Sequence, residues 1–191
     1  MQNAAGRPGR PKAISREMLA EAACELFLER GFDDTSVADI ARRAGIARSS
    51  FFNYAPSKSS LLWAGLDERI DALAADLGAG ADPAAAVVGM ADGFAPDALA
   101  LAYANVAAMG IEAELERESA LRLVRMGRLV AEALRRRGEG ELAADVAGAA
   151  YGAAVIASIR HWSRIGPGAR PLIAVLREAL AAVPGARAGQ P

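Results

Sequence analysis

The sequence is short of the residues from which most enzymes and metal sites are built. Its 191 residues include one cysteine, Cys24, and one histidine, His161. A single cysteine excludes an internal disulfide framework and suggests a reducing compartment, the cytoplasm. The two residues together cannot furnish a Cys/His zinc site, and any histidine-based triad would rest wholly on His161. Paired carboxylates and nucleophile–base sets are missing as well, so we expect no catalytic residue, no metal, no cofactor and no enzymatic activity. Aromatic residues make up only 5% of the chain, and no stretch alternates like a strand. Net charge is almost absent: 22 basic against 23 acidic side chains sum to -1. Taken alone, that sum argues against a globally basic nucleic-acid binder. The polar start, Met1 to Lys12, lacks the apolar stretch of a signal peptide. The uncharged run Val146 to Ile159 falls short of the ~20 residues a bilayer span needs, so no membrane partner is expected.

What is present is alanine, about a quarter of the chain, the residue with the best helix propensity. Apolar positions recur at helical spacing from Ile14 to about Val183, which predicts an all-α chain of about nine helices. The first ends at Gly31, and a second opens at Ser36, where Ser36-Val37-Ala38-Asp39 has capping-box spacing with Asp in place of Glu. A third covers about Arg48 to Tyr54. A fourth begins after Pro56-Ser57 and runs to Leu77, and Asp82-Pro83 starts the next with a favoured N-cap and N1 pair.

The stretch Val37 to Tyr54 carries the functional signal. Two short helices cross steeply only where the residue at the crossing is small, which Ala41 is, and the turn between them needs a positive φ, which Gly45 allows. Val37, Ile40, Ala44, Ile46 and Phe51 would form the small core of a helix-turn-helix. Its second helix would present Arg48, Ser49, Ser50 and Asn53, hydrogen-bonding side chains able to reach base edges or phosphates in a major groove. An ordinary helical hairpin with a terminal glycine would share the same Ala-x-x-x-Gly spacing.

The surroundings favour the first reading. Leu26 through Val37, then Gly45-Ile46, Phe51-Phe52-Asn53-Tyr54, Pro56-Ser57-Lys58 and Leu61-Leu62, resemble the TetR family of bacterial transcription regulators across about Ile14 to Leu66. The resemblance implies phosphate contacts from Thr35 and Ser36, a backbone clamp from Tyr54 and Lys58, and groove contacts from Arg48, Ser50 and Asn53. It also implies a division into a flexible basic arm (1–13), a helix-turn-helix DNA-binding domain (14–60), an effector-binding and dimerisation domain (61–185) and a disordered tail (186–191). Three positions depart from the family pattern. Ala47 stands where a Ser or Thr caps the recognition helix, Ser49 replaces a common glycine, and Ala55 replaces a packing aromatic. The arm holds Arg7, Arg10 and Lys12, followed by Arg16, and Arg10 and Lys12 are candidate DNA contacts through phosphate attraction.

Beyond Leu61 the sequence is less informative. The resemblance implies a small effector bound within the helical body, with Trp63, Met90, Phe94, Tyr103, Met109, Met126 and Tyr151 as candidate liners of an apolar pocket. Each of these is equally a normal core residue. Trp63 with Asp67-Glu68, and Arg160-His161-Trp162, resemble a subgroup of mycofactocin-system regulators and suggest an acyl or lipid-like effector. His161 itself reads as a partly buried belt residue. Two apolar stripes near the end, Gly148, Gly152, Val155, Ile159 and Trp162, then Leu172, Leu176 and Leu180, suit either a twofold dimer face or intramolecular core. The resemblance points to the dimer. The whole then reads as a cytoplasmic homodimeric repressor released from a palindromic double-stranded operator by a small apolar effector. An activator of the same family, or a small-molecule-binding α-bundle with a vestigial DNA unit, are the rivals. The charge sum also resolves: residues 1–60 hold 9 basic and 7 acidic groups, residues 61–191 hold 13 and 16, so -1 averages a positive front and a negative body.

Overall fold

A computed structural model describes residues 15–182. The expected basic arm, with Arg10 and Lys12, and the expected tail lie outside them. All ten elements are helical: α1 (Arg16–Arg30), α2 (Val37–Arg43), α3 (Arg48–Phe51), α4 (Ser60–Gly78), α5 (Pro83–Gly89), α6 (Ala98–Ala104), α7 (Val106–Met109), α8 (Glu112–Arg136), α9 (Glu141–Ile165) and α10 (Leu172–Ala181). The all-α expectation holds, with ten helices rather than about nine. The extra element comes from α6 and α7, which Asn105 divides.

The helix starts follow local chemistry. Ser15, Ser36, Asp82 and Asp97 each accept a backbone N–H of the first turn behind them, and Pro83 follows Asp82 at N1. At α2 the capping box is complete, with Asp39 accepting from the Ser36 backbone in return. α2 closes with a Schellman pair: Ile46 N–H donates to the Ala41 carbonyl and Gly45 N–H to that of Arg42. The Gly45 φ of 74° is the left-handed turn this closure requires.

The body is dominated by the antiparallel pair α8–α9. Its backbones approach very closely, because Gly127, Gly148 and Gly152 remove the side chains between them. A Cβ on Gly152 would stand 2.5 Å from the Leu123 carbonyl oxygen. α10 packs on α9, while α6 bridges α9, α4 and α1. One continuous core runs through the molecule, from Leu19, Ala23 and Phe27 of α1 through Leu66, Ile70 and Leu73 of α4 to Ile159 and Leu176. α4 therefore belongs to both the front unit and the body. Four arginines of α8 and its end reach towards α4 and the turn after it: Arg122 to Asp67, Arg125 to Asp71, Arg136 to the Leu77 carbonyl and Arg137 to Asp82.

α9 extends beyond the uncharged run Val146 to Ile159 at both ends. At 25 residues it is long and apolar enough to cross a membrane by length and composition, but half of its most apolar window is buried inside the fold.

Candidate functional site

The front unit is built as the spacing of its small residues requires. Ile40, Ala41 and Phe51 are fully buried at the α2–α3 crossing, and Val37, Ala44 and Ile46 close around them. Arg43 ties α2 to α1 through Glu25 at 2.9 Å and Glu29 at 2.6 Å. Arg16 Nε donates to the Tyr54 carbonyl at 2.9 Å, fixing the end of the recognition segment against the start of α1.

On this frame Arg48, Ser49 and Asn53 are exposed and Ser50 is half-buried. Among the described residues no carboxylate lies within ion-pair distance of Arg48, so its charge is available to a ligand. α3 is shorter than expected, four residues rather than seven, and Phe52 to Tyr54 continue as turns. Ala47 gives α3 no side-chain cap. Its first N–H groups are therefore unclaimed by any capping oxygen, which suits an approaching phosphate. Ala55 is buried, with Phe51 fully enclosed beside it in the chain, and Phe32 packs on Phe27 with centroids 5.0 Å apart.

Two of the expected phosphate contacts are otherwise engaged. Thr35 is 1% exposed, and its hydroxyl donates to the Gly31 carbonyl at 2.8 Å. The Lys58 ammonium donates to the carbonyls of Phe32 and Thr35, the latter at 2.9 Å, and lies 3.9 Å over the Phe32 ring. Burial lowers its pKa, with Asp33 and Asp34 acting the other way. The α1–α2 loop has carbonyls that no helix satisfies, and these two side chains claim them. Thr35 and Lys58 therefore brace the α1–α2 loop. Ser36 is exposed, but its hydroxyl is engaged in the capping box. The Ser36 hydroxyl and backbone N–H, then Arg42, donate to the Asp39 carboxyl and together hold it down to about 2.

Sequence reasoning missed Phe52. It is 51% exposed beside Asn53, edge-to-face with Phe51 at 5.5 Å. Two adjacent aromatics on so short a helix cannot both turn inward, and that was the available signal. An exposed ring there suits apolar contact with a thymine methyl.

The seven expected pocket residues do not line one cavity. Trp63, Met109 and Met126 are enclosed, and Met90 and Phe94 share a void of only about 10 Å³ with residues of α4, α9 and α10. That void is too small for more than a water-sized occupant. The cause is the alanine content, which lets helices approach until the large side chains fill the interior. Tyr151 is likewise core, whereas Tyr103 lines an open cleft of about 1030 Å³ among α6, α7, α8 and α9. A second concavity, of about 550 Å³, lies between α1, α4 and α6, with Cys24 and Leu61 in its wall and none of the seven. Burial pushes the Cys24 thiol up to about 12, so it stays protonated. His161 is exposed rather than part of a buried belt.

The expected dimer residues are also relocated. Gly148 and Gly152 face α8, and Val155, Ile159, Trp162, Leu172, Leu176 and Leu180 are all 8% exposed or less within the single chain. Both stripes are intramolecular core. The unpartnered apolar side chains sit elsewhere on the same helix pair: Leu121 (61%) and Val124 (47%) on α8, Leu142 (78%) and Val146 (64%) on α9. The helical spacing of Leu142, Val146, Ala149 and Ala153 was the legible sign of a second face on α9.

Residues 19–64, which span α1 to the start of α4, match the model of "Bacterial regulatory proteins, tetR family". The chain is 46% identical over 57 residues to MftR of Mycobacterium tuberculosis, named as a candidate mycofactocin biosynthesis transcriptional regulator, covering 30% of this chain and 29% of that protein. It is 41% identical over 66 residues to the transcriptional regulator EthR of the same species, covering 34% and 31%. These alignments thus span about three tenths of the relatives' length. Among solved structures, the TetR-family repressor FadR of Thermus thermophilus, in complex with lauroyl-CoA, superposes over 92% of this chain and 96% of that one, with a TM-score of 0.54 and 26% identity. The front unit is thus similar to the DNA-binding part of TetR-family regulators, and the whole chain is similar in fold to one of them.

Proposed function

We propose that the chain is a cytoplasmic transcriptional repressor that binds a palindromic operator as a homodimer and leaves it when a small acyl or lipid-like effector binds. The observation that carries this is the exposed face of α3 and its following turn. Arg48, Ser49, Phe52 and Asn53 stand exposed on the second helix and turn of a helix-turn-helix. Arg48 would read a guanine edge and Asn53 an adenine, with Phe52 against a thymine methyl. One such unit has little contact area, so two half-sites about one turn apart are needed for tight binding. The second copy would cover Leu121, Val124, Leu142 and Val146 on the outer face of α8 and α9. These side chains are exposed in the single chain, so covering them leaves the core intact. FadR, with its bound lauroyl-CoA, supports an acyl effector for the body.

Release follows from linkage. An effector that prefers the conformation with badly spaced recognition helices lowers DNA affinity by its differential binding, and a hundredfold loss takes about 2.7 kcal/mol. The test is a titration of purified chain onto palindromes from its own upstream region at several salt concentrations. Sequence-specific, salt-dependent binding is expected, and its absence sinks the reading. Arg48→Ala should flatten the preference among operator sequences by about 1–3 kcal/mol while keeping non-specific affinity.

A further inference from the structure

Two buried donors in the body have nothing to donate to. Trp63 is fully enclosed and Tyr103 is 5% exposed, and their rings meet edge to face with centroids 6.2 Å apart. Neither the indole Nε1 nor the phenol oxygen has a hydrogen-bond partner among the described residues. Buried polar groups are almost always paired, and an indole N–H can only donate. Ser119 and Arg160 lie beside the Tyr103 hydroxyl, and Ser119 gives its own proton to the Glu116 carbonyl at 2.9 Å, yet neither stands in hydrogen-bond geometry with the phenol. Arg160 stands 5.8 Å over the Tyr103 ring. Arg122 stacks on Trp63 at 4.3 Å, with its charge matched by Asp67 and Glu118. What this cluster lacks is an acceptor in hydrogen-bond geometry.

A cleft borders it. Tyr103 lines the cleft of about 1030 Å³ among α6, α7, α8 and α9, and Arg160 and Arg164 of α9 line it too. Among the described residues no carboxylate is within ion-pair distance of either arginine. Glu112 and Glu116 occupy the α8 side, and Val106 and Leu115 supply apolar wall. The cleft therefore offers positive charge along α9 only, next to an unpaired phenol and an apolar surface.

We propose that this cleft binds a carboxylate carried on an apolar stem, the carboxylate accepting from the Tyr103 hydroxyl and pairing with Arg160. This rests on the effector role assigned above and gives the effector a chemistry: an acid, not merely an apolar body. Guanidinium–carboxylate pairing is charge-assisted and directional, so the acid should outcompete neutral or cationic analogues of equal length.

The experiment is calorimetric titration of the full chain with decanoate, decanol and decyltrimethylammonium, each below its micelle concentration. Decanoate is expected to bind at least tenfold more tightly than decanol, and decyltrimethylammonium not to compete. Tyr103→Phe should erase most of that preference without lowering the melting temperature, since it deletes a hydroxyl that has no partner. Arg160→Gln, at an exposed position, should weaken decanoate and leave decanol unchanged. Equal affinity for acid and alcohol, or a preference that survives both substitutions, overturns the site. Operator binding by the same ligand-free preparations separates the two readings. Intact DNA binding with no acid preference removes the site alone. Acid preference in a chain that ignores DNA upholds the site and removes its regulatory role.

Discussion

Thr35 and Lys58 grip the α1–α2 loop from opposite sides, one through a buried hydroxyl and the other through an ammonium on two carbonyls. Thr35→Val deletes the hydroxyl while keeping the shape, leaving the Gly31 carbonyl short of a donor. Denaturant unfolding should show a loss of about 1–3 kcal/mol. The slope of log K against log salt for DNA binding should stay unchanged, whereas a lost phosphate contact would reduce it by about 1. Asp39 gives a pH signature. Its carboxyl, held down to about 2 by Ser36 and Arg42, titrates below an unfolded aspartate. The capping box thus contributes fully above about pH 4 and is lost as pH falls through about 2. Asp39→Asn should flatten that part of the acid-unfolding curve. Sequence spacing showed that Thr35 and Lys58 belong to the front unit. It could not show where their polar atoms point, because that depends on carbonyls left open by a loop conformation.

At the scale of elements, α2 was legible almost to the residue, since its capping box and its Gly45 closure are both written in neighbouring residues. α3 was not. Its start lacks a cap and its end is set by Phe51 entering the core, a tertiary contact. Ala47→Ser should supply the missing oxygen and raise stability by about 1 kcal/mol, read as a higher urea midpoint. It should also compete with any phosphate that uses the same N–H groups. The α8–α9 pair shows the same limit. Helical spacing revealed the stripe of Gly148 and Gly152, but a small-residue stripe fits a partner within the chain as well as one outside it. The geometry puts Gly152 against Leu123, whose carbonyl cannot move without its helix. Gly152→Ala should therefore cost about 1–3 kcal/mol, measured by thermal unfolding, although the added methyl is apolar and helix-favouring.

For the whole molecule, the positive front and negative body orient any approach to a polyanion, front first. A pair of chains joined through the outer α8–α9 face would present two such fronts together. Leu142→Glu, at the most exposed apolar position, should leave the fold and melting temperature nearly unchanged. Light scattering should report the mass of a single chain, and operator affinity should fall far more than affinity for one half-site. The concavities were the least legible feature at this scale. Methionine and aromatic content pointed to an adaptable apolar cavity, yet Met90 and Phe94 share a void of only about 10 Å³. The larger concavities lie between α1, α4 and α6 and among α6, α7, α8 and α9, which no single sequence window describes.

α4 spans both the front unit and the body. Nineteen residues at 1.5 Å each make it about 28 Å long. Its first turn sits under the DNA-facing unit, while arginines from α8 grip it from Asp67 to Leu77. A tilt of about 5° imposed along that grip would displace its far end by roughly 2.5 Å over such a length. In a twofold assembly the two displacements add, and a modest rearrangement around α8 becomes a misfit with the pitch of the double helix.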